Sequence, residues 1–129
     1  GKYQIALIGS YYSYESDCAI LKDDILTILQ DDMITQINII NASVIRNVLL
    51  DCLGCNFAIY QIKKGYIVYG EIEITMLNFD FEKQWSFFGR DIFVSISNRE
   101  AFTINENSIS LFDIEDNYYE IDFDGKQIV

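Results

Sequence analysis

The sequence predicts an α+β domain: a βαβα start followed by consecutive β-hairpins in an antiparallel meander, with two helices packed on one face of the sheet. Three observations predict it. Apolar residues recur at three- and four-residue steps in 16–30 and again in 43–53, the spacing of one helix face. After Gly54 the chain becomes a series of β-branched and aromatic runs divided by short polar turns, the signature of strands. With 129 residues, half of them apolar, the chain can close one core, so a single domain over 1–129 is expected.

Residues 2–8 read as a first strand ended by Gly9-Ser10, with Tyr11, Tyr12 and Tyr14 in an aromatic loop. Cys18, Leu21, Ile25, Ile28 and Leu29 then fall on one side of a first helix, with Ser16 as N-cap and Asp17 where the helix dipole favours an acid. Residues 34–40 alternate around Ile37 and Ile39 as a second strand. Asn41 or Ser43 would cap a second helix through Val44, Ile45, Val48, Leu49, Cys52 and Leu53, with Gly54 left-handed at its end. Strands follow at Asn56–Ile62, 66–77, 84–88, 92–97, 102–105, 108–114 and 118–123. Asp124-Gly125 is a two-residue hairpin signal that sends 126–129 back along the last strand. No internal repeat, linker or low-complexity tract is visible.

The net charge is −11, and it is unevenly placed. Residues 11–51 hold seven acids against Lys22 and Arg46, residues 52–99 balance, and residues 100–129 hold eight acids against Lys126 alone. Such a field repels nucleic acid phosphates and anionic membranes and attracts basic proteins. Three cysteines at no framework spacing point to a reducing, cytoplasmic setting. No apolar run is long enough for a membrane helix. The start at Gly1 instead of Met suggests a trimmed N-terminus.

Strand alternation places Tyr118, Glu120, Asp122 and Asp124 on one face, opposite Tyr119, Ile121 and Phe123. In 66–77 it likewise places Tyr69, Glu71, Glu73 and Thr75 together, opposite Val68, Ile72, Ile74 and Met76. Tyr118, Glu120, Asp122, Asp124, Glu71 and Glu73 are therefore the candidate partner-binding residues.

Catalytic groups are not expected. The chain contains no His, which removes the usual general base, the Ser-His and Cys-His pairs and most zinc sites. Cys52-Leu53-Gly54-Cys55 is a C-x-x-C, but at the predicted end of a helix it has the wrong electrostatics for a redox thiol, and zinc would find only Cys18 besides. Glu71 and Glu73, roughly 6.5–7 Å apart along a strand, have a spacing that glycoside hydrolysis permits. Residues 113–117 resemble the opening of a calcium loop but carry Tyr118 where the tight-turn Gly belongs. A hairpin accounts for them better. No metal or cofactor is expected.

In its small size, lack of catalytic groups and acidic, tyrosine-bearing surface, the chain resembles immunity proteins of bacterial toxin systems, including those of contact-dependent inhibition. That resemblance implies a non-catalytic inhibitor that binds a basic partner such as a cognate toxin nuclease domain. The alternatives are an anti-defence protein that mimics nucleic acid charge, a small-molecule-binding domain lined by aromatics such as Trp85, a carboxylate-dependent enzyme, and a structural interface domain.

Overall fold

The computed structural model describes residues 2, 4–9 and 17–129. It overturns the α+β expectation. The described residues form eleven strands in three antiparallel sheets and contain no helix.

The first sheet joins β1 (Ala19–Lys22), β2 (Ile25–Gln30), β3 (Met33–Asn38) and β4 (Ser43–Leu49) in chain order. Both predicted helices became strands of this sheet. The first is cut in half by Asp23 and Asp24, whose φ values of 52° and 65° reverse the chain between the paired residues Lys22 and Ile25. Positive φ at both central positions is the requirement of the tight hairpin turn that matches strand twist. Ser16, the expected cap, lies outside the described residues. The second predicted helix is β4, where Val44, Ile45 and Val48 bring the β-branching that costs a helix rotamer freedom and fits a pleated surface. Residues 4–9 form no strand.

The second sheet joins β5 (Asn56–Ile62), β6 (Gly65–Gly70), β7 (Glu73–Leu77) and β8 (Lys83–Phe88), again in chain order. The long strand expected over 66–77 is broken at Glu71-Ile72. The Glu71 N–H donates to the Cys55 carbonyl (2.7 Å), and the Glu71 carbonyl accepts from the Phe93 N–H (2.7 Å), which holds the turn. The third sheet pairs β10 (Ser108–Phe112) with β9 (Phe102–Ile104) on one side and β11 (Tyr118–Asp122) on the other. Residues 92–97 are irregular and bury Phe93 completely. Gly125, at φ 80°, makes the expected last turn, and Gln127 bridges back to Ile121.

The three sheets stack. Alternation along the central strands sends Ile67, Ile74 and Met76 against Phe93, Phe102, Ile109, Leu111, Tyr119 and Ile121 of the third-sheet side. It sends Ile59, Tyr66, Val68 and Leu77 the other way, against Leu29 and Ile34 of the first sheet. All five residues of β7 are therefore buried. The two end sheets share neither cluster, so the stack is open at both ends. Each sheet is an up-and-down antiparallel meander. The repetition is architectural, which is why no sequence repeat announces it.

Candidate partner-binding surface

The last strand keeps the alternation read from sequence. Tyr119 and Ile121 are buried, Tyr118 is exposed, and Glu120 and Asp122 are half-exposed on the same outer face. Across the ladder Tyr118 faces Phe112, Glu120 faces Ser110 and Asp122 faces Ser108. On the β10 side neither acid has a cationic neighbour, whereas on the other side the returning chain sets Lys126 across from Asp122, joined through its backbone and not through an ion pair. The Tyr118 hydroxyl donates to Glu120 Oε1 at 2.8 Å, and its ring lies 5.1 Å from that of Phe112. Arg99 stands over the Phe112 ring at 4.3 Å and pairs with Asp116 at 3.8 Å, at the corner of this face. Asp122 also shapes the turn that follows, because its Oδ1 accepts from the N–H groups of Asp124 and Lys126, both at 2.9 Å. Asp124 is exposed on that turn.

Glu71 and Glu73 do not join this face, and the structure corrects the expectation that they share one. Glu71 lies in the β6–β7 turn, half-exposed. Glu73 is 2% exposed and points toward the first-sheet side, where it cannot meet a partner. Its Oε1 accepts from Lys83 Nζ (2.9 Å), Ser86 Oγ (2.8 Å) and Thr75 Oγ1 (3.1 Å), and its Oε2 from the Leu53 N–H (2.9 Å). Burial pushes its carboxyl upward, but these donors outweigh burial and hold it below the ordinary carboxylate value. Lys83 also donates to the Asp51 carbonyl at 2.5 Å, which ties the β4–β5 connection to β8. The network is structural glue, and the glycosidase-like pairing of the two glutamates does not form.

Asp113 is the other buried acid, at 0% exposure. Its carboxylate accepts from the N–H groups of Glu115 (3.0 Å) and Asn117 (2.9 Å), the Asn117 side-chain amide (2.9 Å) and the Tyr119 hydroxyl (2.7 Å). These bonds overcome burial and hold its carboxyl low. The calcium-like segment is thus a hydrogen-bonded turn.

Cys52 and Cys55 are not joined to each other and are free thiols. Burial is the main cause that raises the thiols of Cys52 and Cys55, the opposite of activation. Gly54, between them, takes the left-handed conformation (φ 73°) expected of it, but in a loop. Among the described residues no group of three His, Cys, Asp or Glu side chains is placed to hold a metal ion. None of them form a helix long and apolar enough to cross a membrane.

Sequence reasoning missed one convergence. Asp17 and Glu100, far apart in the chain, both line an aromatic cleft between β5 and β9. No local pattern links them; only the stacking of the sheets does.

No protein-family model matches the chain, and no curated protein matches it. In fold it is similar to the crystal structure of the computationally designed Ika4 protein, with a TM-score of 0.65 at 10% identity over 98% of this chain and 79% of that one. That likeness concerns the stacked-sheet fold alone.

Proposed function

We propose that this chain is a non-catalytic binding module that engages a basic protein through the outer face of its third sheet. The observation that carries the reading is the β11 face, where Glu120 and Asp122 lie across from serines of β10 and neither enters an ion pair among the described residues. The wider charge supports it: of twenty acids in the chain, three form ion pairs among the described residues, one of them the internal Glu73. Unneutralised acids beside an exposed tyrosine attract and orient a positively charged surface, and tyrosine anchors carry much contact energy. A protein whose basic cleft normally holds nucleic acid, such as a nuclease domain, is the partner of matching chemistry. Inhibition would follow from occupying that cleft.

The test is binding to a basic nuclease domain by the intact chain and by a variant combining Glu120→Lys, Asp122→Asn and Asp124→Lys. Asn at 122 keeps the acceptor that the turn uses, so the fold survives while the charge is removed. Binding is expected to weaken by at least about tenfold and to tighten as salt is lowered. Equal affinity for variant and parent, or indifference to salt, would refute the reading.

A further inference from the structure

The cleft between β5 and β9 has a volume of about 410 Å³, within the size range of sites that take small groups. Its wall is a column of rings. Tyr60 stacks on Phe102 (5.3 Å, 16°), and Phe102 stacks on Tyr69 (4.6 Å, 10°). Phe57 meets Tyr69 edge-on at 5.2 Å. The inner end is fixed, because the Tyr69 hydroxyl donates to the Phe93 carbonyl at 2.5 Å. The outer end is half-exposed Tyr60.

Two acidic residues, both exposed, line the cleft: Asp17 from the start of the described core and Glu100 from the segment before β9. Asp17 is anchored, since its carbonyl accepts from the Ile59 N–H at 2.8 Å and its carboxylate from the Tyr60 hydroxyl. Glu100 Oε2 has a long contact with Thr103 Oγ1 at 3.4 Å. Neither acid belongs to an ion pair among the described residues, and no Lys or Arg lines the cleft. Aromatic walls beside two acids that enter no ion pair among the described residues match a flat cation carried on an apolar stem.

We infer that this cleft receives an arginine side chain of a basic polypeptide, with the stem along Tyr60 and Phe102 and the guanidinium between Asp17 and Glu100. Arginine fits better than lysine because its planar head stacks on rings and can bridge two carboxylates. The inference rests on the proposed basic-protein partner and adds a second point of contact away from the β11 face.

The test uses the full chain, isotope-labelled, titrated in NMR with acetyl-Gly-Arg-Gly-amide and with the same peptide carrying uncharged citrulline. The arginine peptide is expected to give saturable shifts at the amides of Phe57, Ala58, Ala101 and Thr103, and the citrulline peptide none. Glu100→Gln, at an exposed position where folding is not at stake, is expected to weaken binding by about five- to tenfold. Asp17→Asn, which keeps a partner for the Tyr60 hydroxyl, is expected to do the same. Equal shifts with citrulline, or full binding by Glu100→Gln, would overturn the cleft. Arginine shifts confined to β11 would overturn it too, while leaving the proposed function standing. Free arginine amide binding as tightly as the peptide would overturn the polypeptide assignment. Loss of protein binding in the β11 variant with peptide binding intact would separate the two sites.

Discussion

Asp113 and Glu73 show how an acidic protein keeps two of its charges inside. Each carboxylate collects four donors, and each is held below its ordinary value of 3.8 or 4.5. The unfolded chain therefore takes up those protons first as pH falls. Their stabilisation is complete above the ordinary values and disappears as pH drops through the lower folded values. At the other extreme, burial pushes Tyr69 up to about 12 and raises Tyr119 from 10. The favoured neutral hydroxyls contribute below pH 10 and are lost as pH climbs through the raised values. Melting temperature is thus expected to be level from about pH 6 to 9 and to fall toward both extremes, steeply below about pH 4. Asp113→Ala leaves the buried Tyr119 hydroxyl and two backbone N–H groups without their acceptor and is expected to cost about 2–4 kcal/mol in denaturant unfolding. The sequence announced a hairpin over 113–117 but kept Asp113 in the strand before its turn, whereas β10 ends at Phe112 and Asp113 opens the turn. Its burial depends on the Tyr119 hydroxyl and on Ile92, whose carbonyl accepts from the Ile114 N–H, and no local pattern reports that.

Between residues and the whole stand the hairpins, where the reading of the sequence failed first. The spacing of Cys18, Leu21, Ile25, Ile28 and Leu29 is helical by coincidence. The alternation needed for two short strands is interrupted by two turn residues, and the interruption restores a three- and four-residue step. Asp23-Asp24 gives a weak turn signal because aspartate only tolerates the left-handed region that glycine and asparagine favour. Asp124-Gly125 carries that signal openly, and its hairpin was legible. The outward face of β11 was legible for the same reason, since one buried face imposes strict alternation. Glu73 was misplaced because β7 is buried on both faces, where alternation no longer separates inside from outside. Replacing Asp23-Asp24 by Asn-Gly is expected to raise stability by about 0.5–1 kcal/mol, read as a higher denaturation midpoint with an unchanged slope. A loss of stability would mean that the aspartate side chains hold the turn in another way.

At the scale of the molecule, cohesion comes from the middle sheet, which supplies one side of both apolar clusters. Ile74 of β7 is fully buried, whereas Val44 on the first sheet is 57% exposed. Ile74→Ala is expected to cost about 2–5 kcal/mol, and Val44→Ala less than about 0.5 kcal/mol, by thermal or chemical unfolding. Comparable losses would place the stability outside the central layer. The open stack also has two unlike ends. The far side of the first sheet is apolar, with Ile5, Leu7, Leu26, Ile28, Ile37 and Ile39 around a shallow cleft and Leu49 71% exposed nearby. The far side of the third sheet carries Ser108, Ser110, Glu120 and Asp122. In arrays of stacked repeats a polar outermost unit acts as a terminator. By that rule the β9–β11 sheet has the character of a terminator, and the β1–β4 sheet, whose outer face is apolar and partly lined by Ile5 and Leu7, does not.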